Sequence, residues 1–179
     1  MQGESLLPES AETEIGKRII NVVAGKRRLF IVNGGQSGVD RAALDSALKL
    51  MLPCRGWCPD QRWAEDGAIA SHYPLTPCGS PTPAVRTELN AYDSDATLVL
   101  THGAPTDGTN LTSDRALAHG RPVLILDLDE QPNVVQFWEW IRTHDVRILN
   151  VGGPRESFAP GVVYARSRKI LDLLLDPTR

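Results

Sequence analysis

A strand, a glycine-rich turn and a helix follow one another in "LFIVNGGQSGVDRAALDSALKL", which runs from Leu29 to Leu50. The apolar run before the turn is continuous, as in the central strand of a parallel sheet covered on both faces. The glycines let the backbone approach a ligand closely. The helix start offers free amides and the positive end of its dipole to an anion. The stretch therefore predicts an α/β fold with an anion-binding turn.

This turn does not follow either of the two best-known phosphate-binding patterns. It has no Lys before a Ser or Thr, as a P-loop would, and it lacks the full G-x-G-x-x-G spacing of a dinucleotide-binding fold. A tight strand-to-helix turn that binds nothing is the alternative, because many α/β turns contain glycine.

Strands and helices alternate through the rest of the ordered chain. Further strands are predicted in "ATLVLTHG", "RPVLILDLD" and "VRILNVGGP". Helices are predicted in "PAVRTELNAYDSD", "NLTSDRALAHG", "QPNVVQFWEWIRTHD" and "GVVYARSRKILDLLL". The alternation predicts a Rossmann-like three-layer sandwich, with a central, mainly parallel sheet flanked by helices. Ligands of such sheets bind at the carboxyl ends of the strands.

The two ends of the chain and its proline-rich middle differ from this pattern. Residues 1–9 are predicted to form a flexible N-terminus, and residues 10–179 a single ligand-binding domain that begins with a helix over Ser10–Ala24. The segment Pro53–Pro83 is rich in Pro and Gly and has little periodicity. Because it also carries aromatic residues, we expect an ordered lid or wall of a site, not a disordered loop.

Size and charge narrow the function. A chain of 179 residues with a net charge of -3 is expected to be one globular domain, and not a general nucleic-acid or membrane-surface binder.

We expect a cytoplasmic protein with reduced thiols. The spacing of Cys54, Cys58, His72 and Cys78 is too irregular to favour a zinc site. No metal ligands and no catalytic nucleophile are therefore predicted.

Candidate ligand-binding residues follow the predicted strands or start the helices after them. Those after the strands are Gly34, Gly35, Gln36, Ser37, Gly38, Thr101, His102 and Asn150. Gly108 and Thr109 lie at a helix start that could accept an anion. A plain N-cap is the alternative for that second helix start.

Two more groups of candidates lie beside this edge. Arg86, Asn90 and Asp93 share one helix face and could grip a phosphate and the edge of a heterocycle; a solvated face is the alternative. The predicted wall supplies a stacking aromatic and several charges. These are Arg62, Trp63, Glu65 and Asp66. A solvated loop with Trp63 folded into the core is the alternative.

Several motifs occur in one order that resembles the molybdenum cofactor carrier family, in the Rossmann-like lysine-decarboxylase-like (LOG-like) group. They are "GGQSGVDRAALD", "GWCPDQRWAEDG", "YPL", "RTELNAYDSDATLVL", "GTNLT" and "LNVGGPRES". The resemblance implies a non-catalytic binder of molybdenum cofactor, a pyranopterin with a terminal phosphate and a dithiolene that holds the metal. Members are expected to be homo-oligomers, as dimers or tetramers, and to contact molybdoenzymes transiently.

The resemblance also implies which parts of the site meet the cofactor. The phosphate would bind the amides of Gly34 to Gly38 or the Gly108–Thr109 helix start. The pterin edge would meet a carboxylate, Glu65, Asp66 or Asp93, and its plane would lie near Trp63. Because the dithiolene supplies the sulfur ligands, no protein side chain need coordinate molybdenum.

Related phosphoribohydrolases carry P-G-G-x-G-T-x-x-E, whose Glu is catalytic. The matching stretch here is "APTDGTNLT", with Thr112 in place of that Glu and Asp107 in place of the Gly before Gly108. The difference counts against a LOG-like nucleoside monophosphate phosphoribohydrolase. That nucleotide-processing activity, or a nucleotide sensor, remains the alternative function.

Overall fold

A computed structural model describes residues 28–104 and 107–176. The predicted flexible N-terminus and the helix over residues 10–24 lie outside the described residues. Within the described part, no helix is both long enough and apolar enough to cross a membrane.

Six parallel strands form the central sheet of the described chain, in the order β5-β2-β1-β8-β6-β7. They are β1 (Phe30–Val32), β2 (Cys54–Cys58), β5 (Leu75–Pro77), β6 (Ala96–Thr101), β7 (Val123–Asp127) and β8 (Ile148–Gly152). Two shorter strands, β3 (Trp63–Ala64) and β4 (Gly67–Ala68), pair with each other as an antiparallel hairpin.

Helices cover both faces of this sheet and complete the predicted three-layer sandwich. They are α1 (Val39–Lys49), α2 (Pro83–Tyr92), α3 (Asp107–Ala118), α4 (Val134–Thr143) and α5 (Val163–Leu174). α1 packs on α5, which also contacts α4, whereas α2 packs on α3. The Rossmann-like fold class is thereby confirmed.

The last strand of the chain lies in the middle of the sheet, and this arrangement positions the site. β8 pairs with β1, where Phe30 aligns with Ile148, and with β6, where Ala96 aligns with Leu149. The chain moves outward from β1 to β2 and β5, and outward on the other side from β6 to β7. Strand order reverses between β1 and β6, and a ligand-binding crevice is expected at the carboxyl ends there.

The main core lies beneath α1, α4 and α5. Leu98, Leu149, Phe137 and Leu171 are among its fully or nearly fully buried side chains. The helix predicted in "QPNVVQFWEWIRTHD" is confirmed as α4, in which Phe137 and Ile141 are both buried. Removing a large side chain from such a core costs about 2–5 kcal/mol.

Residues 53–83, which we call the wall, are more regular than the sequence predicts. The segment contributes β2 and β5 to the main sheet, and its own apolar cluster includes Cys58, Ile69, Tyr73 and Leu75. These strands are short and carry proline and glycine, so they lack the apolar run that identifies a central strand. Gly56 is required in β2 because a Cβ at that position would overlap the carbonyl oxygen of Asn33, the residue directly after β1.

Helix boundaries agree with the sequence patterns at most positions. α2 begins at Pro83, the first residue of its predicted segment, and Thr82 is the N-cap residue, although its side chain makes no capping hydrogen bond to this helix. α3 begins at Asp107, three residues before the predicted start of its pattern at Asn110. The earlier start brings Gly108 into the first turn of the helix.

Candidate functional site

A cleft of about 400 Å³ opens at the carboxyl ends of β1 and β8, between α2 and α3. Its volume suits a ligand of cofactor size, since small-molecule sites typically measure about 300–1,000 Å³. The lining comprises Gly34, Gln36, Asp40, Pro83, Arg86, Thr87, Asn90, Gly108, Leu111, Thr112, Asn150, Val151, Gly152, Gly153, Pro154, Arg155, Ser157 and Phe158.

The turn after β1 is held by a buried asparagine. Asn33 accepts a hydrogen bond from the Gly35 amide at 2.9 Å and donates one to the carbonyl of Asp40 at 3.0 Å. The guanidinium of Arg86 lies directly against Gly34, where a Cβ would overlap it. Gly34 therefore allows an arginine from α2 to lie across the turn.

Arg86 forms an ion pair with a buried carboxylate in the first turn of α1. Its Nη1 lies 3.4 Å from Oδ2 of Asp40, whose exposed fraction is only 6%. The same oxygen accepts from the Gln36 amide at 3.3 Å. Burial raises the pKa of Asp40, and the attraction of Arg86 and the backbone amides offsets that increase only in part.

Gln36 is a buried side chain in the cleft lining that is only half satisfied. Its exposed fraction is 2%, and its Nε2 donates to the carbonyl of Trp63 at 3.0 Å. Its Oε1 is buried and has no hydrogen-bond partner in the part of the chain that the structure describes. Because buried polar atoms are nearly always paired in proteins, an orphan acceptor in a cleft is an indication of a ligand.

The loop after β8 packs on the start of α1. Gly38 has a φ of 71°, and a Cβ there would lie 2.5 Å from the carbonyl oxygen of Pro154. That oxygen accepts from the Val39 amide at 3.2 Å. The amides of Gly35, Gln36 and Val39 thus all have protein partners, which leaves the glycine turn less free to hold a phosphate than its sequence indicates.

Arg155, like Asp40, is a cleft residue that sequence reasoning missed as a binding candidate. Within the described residues its guanidinium has no ion pair and no hydrogen bond, and it lies 5.9 Å from the centre of the Trp63 ring. Its charge acts to lower the pKa of Asp40 and of Glu65. The available signal was its position directly after the glycine pair that ends a strand, in "LNVGGPR".

The start of α3 forms the opposite side of the cleft. Gly108, Leu111 and Thr112 line it, and the Thr112 hydroxyl donates to the carbonyl of Gly108 at 3.0 Å. Thr109 is buried. Thr112, which stands where the related hydrolases have glutamate, therefore faces the cleft with its hydroxyl already hydrogen-bonded.

Glu65, a predicted candidate from the wall, joins the β3–β4 hairpin to the turn after β1 and to the loop after β8. It accepts hydrogen bonds from the Ser37 hydroxyl, from the Ser157 amide at 3.0 Å and from the Ser157 hydroxyl at 2.6 Å. Burial acts to raise the pKa of Glu65, but these bonds and the nearby Arg155 outweigh it and hold the pKa below its ordinary value. Asp66 forms a separate, more exposed ion pair with Arg41 at 3.3 Å.

The three residues predicted to share one face of α2 have two different roles. Arg86 lies in the cleft, but Asn90 binds the backbone of Trp57 with both ends of its amide, accepting at 2.8 Å and donating at 3.0 Å. Asp93 accepts from the indole Nε1 of Trp57 at 2.8 Å. Asn90 and Asp93 therefore attach α2 to the edge of β2.

Arg62 has a similar structural role inside the wall. Its guanidinium donates to the carbonyl groups of four residues at 2.7 to 3.0 Å; these are Ile69, Ala70, Tyr73 and Leu75. Trp63 is half exposed, and it is therefore not folded into the core as the alternative interpretation held.

His102 lies beyond the cleft, at the ends of β6 and β7. Its Nδ1 is 3.0 Å from Oδ2 of Asp129, and the ligand atoms of His102, Asp127 and Asp129 lie within 4.8 Å of one another. Each carboxylate also has other protein partners: Asp127 accepts from the amides of Gly103 and Asp129, and Asp129 pairs with Arg166. In the described chain the three cysteines are free thiols and form no such group with His72.

The structure therefore brings six of the predicted residues into the cleft and leaves the others around it. Those in the lining are Gly34, Gln36, Arg86, Asn90, Gly108 and Asn150. Those outside it are Gly35, Ser37, Gly38, Arg62, Trp63, Glu65, Asp66, Asp93, Thr101, His102 and Thr109. A ligand role stays a prediction for every member of both groups.

Comparison with known proteins identifies relatives of this chain. The model of the circularly permutated YpsA SLOG family matches residues 31–175. The crystal structure of the "putative molybdenum carrier protein" of Syntrophus aciditrophicus SB is 36% identical and superimposes with a TM-score of 0.77, covering 83% of this chain and 96% of that one. No curated protein matches the sequence.

Proposed function

The chain belongs to the circularly permutated YpsA SLOG family, and from this we propose that its cleft binds molybdenum cofactor, which the protein stores or delivers without catalysis. The name of the similar Syntrophus protein supports molybdenum carriage, and the similarity extends over nearly all of that chain. The motifs that resemble the cofactor-carrier family include the β1–α1 turn and the β8 loop, and both loops line the cleft.

The observation that carries the proposal is the free cation in the cleft. Arg155 is half-buried in the lining and has no ion-pair partner within the described chain. An arginine in this position offers a planar fork of donors that matches a phosphate group. Across the cleft, the first turn of α3 adds the positive end of a helix dipole. We propose that these two features hold the terminal phosphate of the cofactor.

The remaining parts of the cofactor fit the proposal by their chemistry. The tricyclic ring system would occupy the floor formed by Gln36, Asp40 and Arg86, near the half-exposed Trp63. The dithiolene would keep the metal, so molybdenum enters as part of the cargo. Thr112 replaces the glutamate that the related hydrolases use, and its hydroxyl is occupied by Gly108, which favours holding the ligand over cleaving it.

Purification from a host that makes the cofactor tests the proposal. We expect the protein to carry molybdenum and to release a fluorescent oxidised pterin in equal amount on acid oxidation. The same protein from a host blocked in cofactor synthesis should carry neither, and it is the matched control. The proposal would be contradicted if protein from the competent host carried neither molybdenum nor pterin and also failed to activate cofactor-free nitrate reductase after incubation with the cofactor.

The nucleotide alternative makes a separate prediction. A phosphoribohydrolase would release free base from nucleoside monophosphates, and Arg86→Ala would abolish that turnover. A sensor would change its oligomeric size with a nucleotide but would not turn it over. We further propose a cytoplasmic homo-oligomer that contacts molybdoenzymes transiently. Sedimentation of the loaded protein with and without a cofactor-free enzyme would test that arrangement.

A further inference from the structure

The floor of the cleft, formed by Gln36, Asp40 and Arg86, contains two hydrogen-bond acceptors. Gln36 Oε1 is buried and has no partner among the described residues. The Asp40 carboxylate also lines the cleft, and its Oδ2 lies 3.3 Å from the backbone amide nitrogen of Gln36. Because Arg86 Nε is a buried donor that also lacks a partner in the described chain, a ligand that fills this floor must present donors to Gln36 and Asp40 and an acceptor to Arg86.

The orientation of the Gln36 amide is determined by its surroundings. Nε2 donates to the carbonyl of Trp63 at 3.0 Å, and a flipped amide would place Oε1 against that carbonyl. The hydrogen-bond network therefore assigns the free atom as the oxygen. The neighbouring amide of Asn90 cannot serve instead, because both of its ends are bonded to the backbone of Trp57.

We propose that Gln36 and Asp40 together recognise the 2-amino-4-oxopyrimidine ring shared by pterins and guanine, by accepting hydrogen bonds from its 2-amino group and its ring N–H. This ring carries two donors on one edge, and the floor carries two acceptors that could pair with them. The inference rests on the proposed function for its ligand class and deepens it by assigning the residue that selects the ring.

The ring N–H alone does not distinguish a pterin from a lumazine, which has an oxygen in place of the 2-amino group. That oxygen would face an acceptor on the floor. A site built to pair with a polar group rejects an analogue that leaves its buried atoms unpaired. The cost of one such mismatch corresponds to about a tenfold loss of affinity or more.

Fluorescence titration with pterin-6-carboxylate and lumazine-6-carboxylate measures the selection directly, since the two probes differ only in the group at position 2 and in the proton that the lumazine carries on N1. We expect the wild-type protein to prefer the pterin by about tenfold or more. Gln36→Met, which keeps the length of the side chain but has no acceptor, should bring the two affinities to within about threefold. Equal affinities in the wild-type protein would overturn the inference.

Gln36→Glu separates recognition from a general effect on the fold. Both Gln36→Glu and Gln36→Met lose the donor to the Trp63 carbonyl, so the two variants differ in whether they keep an acceptor for the 2-amino group. We therefore expect Gln36→Glu to restore the pterin preference that Gln36→Met loses. If both variants keep the wild-type preference, Gln36 does not select the ring. Thermal unfolding of both variants without probe shows whether they are folded, and the ratio of two affinities is unaffected by a partial loss of folded protein.

A second pair of probes distinguishes the two sources of the ring. Guanosine 5′-monophosphate and inosine 5′-monophosphate differ only in the 2-amino group, and a guanine site should prefer the former in the same Gln36-dependent manner. Preference for pterin with no binding of either nucleotide assigns the floor to pterins. Preference for guanosine 5′-monophosphate with no binding of either pteridine probe keeps the inference for guanine but contradicts cofactor carriage. Cofactor in the purified protein, with no preference in either pair, contradicts only the inference.

Discussion

The wall and the cleft floor are both rich in polar side chains, but they differ in what those side chains bind. Arg62 in the wall donates to four backbone carbonyl groups, and the edge of β2 uses both ends of Asn90. On the floor, Gln36 Oε1 has no partner, and beside it the Arg155 guanidinium has neither an ion pair nor a hydrogen bond within the described chain.

This difference separates two reasons for a polar residue to occupy an irregular segment. The stretch of the wall between β4 and β5 contains no strand, so its backbone carbonyls need side-chain partners, which Arg62 supplies. The floor lies at the end of regular strands, whose backbone groups are already paired. Spare hydrogen-bonding capacity, more than polarity itself, therefore marks the residues that can bind a ligand.

The largest effect on stability is expected when the wall loses its central arginine. Arg62→Met removes four hydrogen bonds from a charged donor and leaves the carbonyls of the wall without partners, which should lower the free energy of unfolding by about 3 kcal/mol. Chemical denaturation measures this change. Arg62→Lys keeps the charge but not the planar fork of donors, so we expect an intermediate loss. A change below about 0.5 kcal/mol for Arg62→Met would contradict the assigned role.

The fold could be predicted from the sequence wherever an apolar pattern was long enough. "ATLVLT" gives a fully buried strand at Ala96–Thr101, and the stripe with Phe137 and Ile141 gives α4. β2 and β5 were missed because a strand that contains Gly56 or Pro77 has no periodic signal of its own. Only pairing with neighbours distant in sequence makes these segments strands.

The site was predicted in part, and for a similar physical reason. The strand ends gave Gly34, Gln36 and Asn150, because those positions follow from the fold class alone. The spacing of Arg86 and Asn90 places both on one helix face, but only the position of β2 decides that Asn90 faces a backbone edge. Arg155 was missed because its importance depends on lacking a partner, which no local pattern reveals.

The next largest effect on stability tests whether Asn90, like Arg62, serves mainly to bind the backbone of the wall. Asn90→Ala removes both bonds to the Trp57 backbone at a position that is 2% exposed. We expect the free energy of unfolding to fall by about 2 kcal/mol. Val85→Ala, at an exposed position of the same helix, is the matched control and should change it by less than about 0.5 kcal/mol. Equal effects of the two substitutions would show that the bonds of Asn90 to the Trp57 backbone do not stabilise the fold.

A smaller and pH-dependent effect is expected where the wall meets the cleft loops, at Glu65. The folded-state pKa of Glu65 lies below its ordinary value of 4.5, so its charged form stabilises the protein above that pH. The contribution is lost as the pH falls through the lowered folded-state value. Glu65→Gln should therefore destabilise the protein by about 1 kcal/mol at pH 7, and the difference from wild type should vanish in acid.

Thermal or denaturant unfolding between pH 3 and pH 7 measures this difference for wild type and Glu65→Gln. Glu139→Gln, an exposed carboxylate on α4, is the control and should show little difference at any pH. A Glu65→Gln difference that stays constant down to the lowest pH would show that the effect comes from packing and not from the charge.

The smallest effect on stability, with the largest effect on binding, is expected at Arg155. Its guanidinium has no ion pair with any described residue, so Arg155→Gln should change the free energy of unfolding by less than about 0.5 kcal/mol. A phosphate group that it holds would lose a charge-assisted hydrogen bond, so the affinity for a phosphorylated pterin should fall by about tenfold or more. Arg142→Gln removes the same charge from an exposed position on α4 and should change neither quantity. If Arg155→Gln destabilised the protein as much as Asn90→Ala does, Arg155 would be a structural residue like those of the wall. The contrast between the wall and the cleft would then fail at the residue proposed to bind the phosphate.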